Sequence, residues 1–96
     1  MAKLHLKGHM LRVLLGKPDG LWDHEVARET MREYGLQGAY WKGTVRVTLS
    51  DLYSGGLIEE VDEALDDGTY FEAGKVLLKY RLTNFGRERM LDTGIV

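Results

Sequence analysis

The chain has 96 residues, of which 44% are hydrophobic and 29% charged, the make-up of one small globular domain rather than of a disordered or fibrous chain. It contains no cysteine, which excludes a disulfide framework and a thiolate zinc site, and no apolar run approaches the ~20 residues needed to span a bilayer. The net charge of −2 hides a division: residues 1–49 carry eight basic and five acidic side chains, net +3, while residues 50–96 carry five basic and ten acidic ones, net −5.

Most of the negative charge sits in one stretch, where Glu59, Glu60, Asp62, Glu63, Asp66, Asp67 and Glu72 occur with no Lys or Arg among them. A polyanion is drawn to the first half and repelled by that stretch. One proline and twelve glycines fit a compact fold with tight turns. The basic residues of Met1–Lys7 are not followed by a long apolar segment, so no signal peptide is expected. The expected location is cytoplasmic, with no membrane partner.

The first periodic segment is Gly8 to Leu15. Met10, Leu11, Leu14 and Leu15 share one helical face, and Gly16 and Pro18 end it. Before it, Lys3 to Lys7 alternates polar and apolar, which suits either a short edge strand or the start of the helix. The second helix is expected to open at Asp23 as N-cap. It buries Val26, Ala27, Thr30, Met31 and Tyr34 and stops at Gly35. After a short turn, a third helix runs from Tyr40 or Lys42 to Ser54. Val45, Leu49, Leu52 and Tyr53 lie on its inner side, with Tyr40, Gly43, Thr44, Val47, Ser50 and Asp51 opposite.

The period then changes to two. Residues 57–61 and 76–82 read as the strands of a hairpin, with Asp66-Asp67-Gly68 and Gly74 marking a long tip. Thr83 caps a last helix, Asn84 to about Leu91, and Gly94 lies just beyond it. Three helices this short leave apolar faces open, and a hairpin across the open side completes one core. That core is expected to join Val45, Leu49, Leu52, Leu57, Leu78, Tyr80 and Leu82 to Leu11, Leu14, Val26, Ala27 and Met31. The expected fold is α+β and mostly helical: a winged helix-turn-helix of three helices, a two-stranded hairpin wing and a short C-terminal helix, in a single domain over 1–96.

Several residue groups resemble a known family. Gly43-Thr44-Val45 with Leu49, Leu52 and Gly56-Leu57-Ile58 looks like the third helix and first wing strand of winged-helix regulators. Tyr80-Arg81-Leu82-Thr83 with Gly86-Arg87-Glu88 looks like the second wing strand running into the next helix, a pattern shared with MarR-like proteins. Gly8-His9-Met10 to Leu15, then Trp22 and Glu25-Val26-Ala27, is similar to the opening of PadR-type transcription regulators. The resemblance implies a sequence-specific regulator of transcription that binds double-stranded DNA as a homodimer.

In such a motif the third helix enters the major groove. Its outer face, flank and N-terminus offer Tyr40, Lys42, Thr44, Arg46, Val47 and Ser50. Arg46 suits a guanine edge or a phosphate, Thr44 and Val47 a thymine methyl, and Lys42 and Tyr40 the backbone. On the wing, Lys75 and Lys79 are the candidates. The dimer candidates are Leu4 and Leu6, with Phe85, Met90, Leu91 and Ile95 of the last helix.

Asp51 and the acidic hairpin support a different class, a winged-helix protein–protein interaction module that binds no DNA and uses the acidic hairpin for a protein partner. Tyr70 and Phe71 at the tip either serve such a partner or pack on their own domain. Trp22 and Trp41 are expected to pack in the core. Catalysis finds no support. There is no Gly-x-Ser-x-Gly, no phosphate-binding loop and no cysteine nucleophile. His5 and His9 are four apart but have no nearby carboxylate, so no metal, no cofactor and no enzyme activity is expected.

Overall fold

The computed structural model describes residues 5–95. In chain order these form α1 (Leu6–Leu15), β1 (Leu21–Trp22), α2 (Asp23–Tyr34), α3 (Ala39–Ser54), β2 (Ile58–Leu65), β3 (Val76–Leu82) and α4 (Asn84–Thr93). The α+β, mostly helical architecture with a hairpin between α3 and α4 is as expected. Leu6 and Lys7 belong to α1, which answers the strand-or-helix alternative for that part of the segment. Lys3 and Leu4 lie outside the described residues.

One element departs from expectation. Leu21–Trp22 forms a third strand, and the antiparallel sheet has the order β1-β3-β2. Leu21 pairs with Tyr80 and Trp22 with Lys79. The close approach depends on Gly20, whose φ is +101° and whose missing Cβ leaves room for the Tyr80 carbonyl. The hairpin proper pairs Ile58 with Leu82 at its base and Leu65 with Val76 at its outer end, with an irregularity between Glu60 and Asp62. Such a bulge bends and twists an edge strand.

The helix ends are set locally. Gly35 (φ +65°) closes α2 and Gly94 (φ +72°) closes α4, both in the left-handed conformation that glycine adopts without strain. The Thr83 hydroxyl accepts the Gly86 N–H at 2.9 Å, the expected cap of α4. The expected cap of α2 is corrected: Asp23 is its first helical residue, and Trp22 holds the cap position. Glu25 supplies the missing interaction by accepting the Trp22 N–H at 3.0 Å. The Asp23 carboxylate is thereby available for a partner outside its own helix.

Met10, Leu11, Leu14, Val26, Ala27, Val45, Leu49, Leu52, Ile58, Tyr80, Leu82 and Met90 form one buried cluster. Each fully buried aliphatic side chain contributes about 1.5–3 kcal/mol through removal from water. Leu57 and Leu78 are half-buried against this cluster. Met31 is also only half-buried and lines a space beneath the hairpin tip instead. Met90, expected at a dimer surface, is wholly buried in the core, whereas Phe85 and Leu91 of the same helix are exposed. Trp22 and Trp41 are half-buried rather than core residues.

Candidate nucleic-acid interface

The outer face of α3 is open. Tyr40 is 75% and Val47 63% exposed, and Gly43 and Ser50 are exposed beside them. Two hydroxyls on this helix turn back to its own backbone: Thr44 bonds the Tyr40 carbonyl at 3.0 Å and Thr48 the Thr44 carbonyl at 2.8 Å. The Tyr40 ring meets Trp41 edge-on at 5.0 Å, so the helix begins with an aromatic corner. Asp51 is exposed on the same helix.

The two cations of α3 do not point straight outward. Lys42 Nζ donates to the Tyr70 carbonyl at 3.1 Å. Arg46 donates from Nη2 to the Val76 carbonyl at 2.6 Å, places its guanidinium 4.7 Å from the centre of the Phe71 ring, and sets Nε 3.6 Å from Asp23 Oδ2. Its side chain keeps 25% exposure. Carbonyls at the start of β3 and an aromatic on the tip lie within reach because the hairpin leans against α3.

Asp23 is the fixed point of this arrangement. Its side chain is buried, accepts the Leu78 N–H at 3.2 Å and the His24 N–H at 2.8 Å, and faces Arg46. Burial raises its pKa above the ordinary 3.8, against the opposing pull of the Leu78 N–H and the Arg46 charge. One carboxylate at the start of α2 thus ties together α2, β3 and α3.

Beyond it the hairpin tip is organised by a second buried acid. Asp66 accepts four backbone N–H groups: Gly68 at 2.9 Å, Tyr70 at 3.3 Å, Phe71 at 2.6 Å and Glu72 at 3.0 Å. Burial pushes its pKa up, but these four donors outweigh it and hold the group down at about 2. The tip so formed folds back on the body. The Tyr70 ring stacks on His24 at 3.6 Å, and His24 in turn lies parallel to Trp22 at 6.3 Å. Tyr70 and Phe71 therefore pack on their own domain.

The predicted wing lysines part company. Lys75 lines a groove of about 310 Å³ between α3 and β3 together with Gly43, Arg46, Val47 and Ser50. Its Nζ is 3.8 Å from Glu72. Lys79 lines a different hollow, with Lys17, Trp22 and Arg28, because it sits within β3 opposite Trp22 of β1, whereas Lys75 precedes that strand in the hairpin tip. The structure thus brings Arg46, Val47, Ser50 and Lys75 together, leaves Tyr40, Lys42 and Thr44 at the N-terminal end of the same helix, and sets Lys79 apart. Asp23, His24, Asp66, Tyr70 and Phe71 complete the surroundings. Of these, only Asp66 carried a usable local signal, an acid at a strand end before Asp-Gly. The partners of the others are distant in sequence.

On the remaining candidates, His9 lies on α1 with its ring edge-on to Tyr34 at 5.3 Å, and His5 precedes that helix. Among the described residues no group of three or more His or acidic side chains is disposed to hold a metal, and no helix is long and apolar enough to cross a membrane. The acidic strand β2 is exposed from Glu60 to Leu65, while Glu59 is paired with Arg81 at 2.7 Å.

No protein-family model matches the chain. No curated protein matches it significantly. Among solved structures it is similar to RosR of H. salinarum grown from NaBr, with a TM-score of 0.68 at 24% identity, covering 95% of this chain and 70% of that one. It is likewise similar to the complex structures of hsRosR-S4 (TM-score 0.69, 24% identity, 95% and 67% coverage) and hsRosR-S1 (0.68, 24%, 95% and 69%). With its helices, three-stranded sheet and hairpin, the chain has the winged-helix fold.

Proposed function

We propose that this chain binds double-stranded DNA and regulates transcription, with α3 presented to the major groove. The observation that carries the proposal is the open face of α3, where Tyr40, Val47 and Ser50 are exposed beside a groove holding Arg46 and Lys75. An aromatic, an aliphatic and a hydroxyl group flanked by cations suit base edges and phosphates at once. The RosR structures, two of them described as complex structures, share the fold on which this use is proposed. The residue pattern keeps the PadR-type regulators as the proposed relatives.

In this proposal Lys42 and Lys75 neutralise phosphates, Tyr40 and Thr44 contact the backbone near the helix start, and Val47 and Ser50 face bases. Arg46 joins the groove while anchoring the wing, and Lys79 serves a phosphate only where DNA wraps past β1. The activity is binding in the cytoplasm, not catalysis. A homodimer supplies the second half-site. Its surface is formed by Leu6 with Phe85 and Leu91, because Met90 is consumed by the core.

The test is selection from random duplexes at low ionic strength, followed by salt titration. Lys42→Ala with Lys75→Ala should weaken binding and flatten the slope of log K against log salt by about 0.9 for each phosphate that is no longer neutralised. Wild-type protein that shows no salt-dependent binding to any duplex overturns the proposal. Sedimentation at micromolar concentration should give twice the chain mass, and a monomer overturns the dimer.

A second proposal rests on β2, whose exposed stretch from Glu60 to Leu65 lies on one of the two edges of the sheet. An interaction module using this edge would keep its protein partner when Lys42 and Lys75 are removed. It would lose the partner when Glu60, Asp62 and Glu63 are neutralised.

A further inference from the structure

The hairpin tip is ordered from within and held only lightly from without. Within, Asp66 gathers four backbone N–H groups. Its own N–H and carbonyl also close the loop against the Lys75 carbonyl at 2.8 Å and the Gly74 N–H at 2.9 Å. Without, the tip touches the body through one ring stack (Tyr70 on His24), one cation–ring contact (Arg46 on Phe71), one exposed hydrogen bond (Lys42 to the Tyr70 carbonyl) and the half-buried Phe71 ring, which packs against the core cluster.

Tyr70 remains 42% exposed. A hollow of about 310 Å³ lies beneath the tip, floored by Ala27 and Met31 and bounded by Arg28 and Lys42. A segment with many internal hydrogen bonds and a single half-buried apolar anchor, here Phe71, detaches as a unit at lower free-energy cost than the core elements. The last ladder pair, Leu65 and Val76, marks where it would bend. The Arg46 bond to the Val76 carbonyl holds the hairpin in place below that point.

We propose that the tip, residues 66–75, is an autoinhibitory latch on the DNA face: docked through the Tyr70–His24 stack it occupies Lys42, and its release hands that cation to a phosphate. The latch rests on the DNA-binding proposal and adds a regulatory step to it. The docked form binds duplex with one phosphate contact fewer, and the apparent affinity is lowered by the fraction of molecules that are closed.

The experiment compares wild type, Tyr70→Ala, His24→Ala, Tyr70→Phe and Lys42→Ala on the duplex selected for the wild type. Breaking the stack from either side should tighten binding roughly threefold to tenfold, the range expected of one aromatic pair. It should also steepen the salt slope by about 0.9. A loss of structure alone would weaken binding, not strengthen it. Tyr70→Phe keeps both ring and carbonyl and should match the wild type. Lys42→Ala combined with Tyr70→Ala should abolish the gain. If the wild type binds and neither Tyr70→Ala nor His24→Ala binds more tightly, the latch is overturned and DNA binding stands. If no variant binds any duplex, DNA binding falls and the latch falls with it.

Discussion

The Asp66 carboxylate accepts the Phe71 N–H at 2.6 Å across the turn of the hairpin tip, and the same group accepts the N–H groups of Gly68, Tyr70 and Glu72. An ionised acid at this point sets the path of the backbone that carries both tip aromatics to the body. Its charge is solvated by peptide dipoles rather than by a cation, and each of those bonds strengthens when the acceptor is ionised.

This sets the acid response of the tip. The folded pKa of Asp66 is about 2, below the unfolded 3.8. Its contribution is therefore complete above the unfolded value and is lost as pH falls through the folded one. Amide shifts of Gly68, Phe71 and Glu72 should stay constant from neutral pH down to about 3 and move together as pH falls through about 2. Asp66→Ala should abolish that transition and separate the Tyr70 ring from His24. Amide shifts that titrate near 4 or above would show that the four donors do not hold the charge.

Asp23 should behave in the opposite sense. Burial raises its folded pKa above 3.8, so the ionised form costs the folded state above that value, and acidification through the folded pKa relieves the cost. A carboxyl carbon titration should place Asp23 above and Asp66 below the ordinary aspartate value. Asp23→Asn keeps an acceptor for the Leu78 N–H and should change stability by less than about 1 kcal/mol. Asp23→Leu leaves that N–H unpaired and should cost about 1–3 kcal/mol in urea unfolding.

Two glycines give opposite predictions. Gly86 is buried in α4, and a Cβ there would collide with the Leu57 carbonyl and press on the Leu82 side chain. Gly86→Ala should cost about 1–3 kcal/mol through overpacking against backbone. Gly43 lies inside α3 with open space around it. Gly43→Ala should stabilise by up to about 1 kcal/mol, the helix preference of alanine over glycine. Thermal unfolding of both variants is the check, and equal effects would refute the packing difference.

Thr30 is wholly buried in α2, and its Oγ1 finds no hydrogen-bond partner among the described residues. A buried hydroxyl without a partner costs about 1–3 kcal/mol, and valine has nearly the same shape. Thr30→Val should raise unfolding stability by about 1 kcal/mol. A drop in the urea midpoint would mean that the hydroxyl is satisfied in solution.

Much of the architecture is legible in the sequence because it is local. Period 3.6 locates the buried faces of α1, α2 and α3, period 2 locates β3, and Gly35, Thr83 and Gly94 mark helix ends through their own backbone preferences. β1 is invisible there because two residues carry no period, and Leu21–Trp22 is a strand only through pairing with Tyr80 and Lys79. Periodicity places Met31 too deep and Met90 too shallow, since an apolar stripe shows which face is inward but not how completely a neighbour covers it.

The candidate interface divides in the same way. Composition and helical phase by themselves determined that Tyr40, Thr44, Val47 and Ser50 lie opposite the inner side of α3, and that charge is split between a basic first half and an acidic hairpin. Only the tertiary structure decided where the cations go. Lys42 and Arg46 find carbonyls 28 and 30 residues away, and Lys75 joins α3 while Lys79 faces elsewhere. Periodicity records which side of its own element a residue occupies. A hydrogen bond or a ring stack between distant segments depends on the angle at which those elements pack, and that angle is set by the whole core at once.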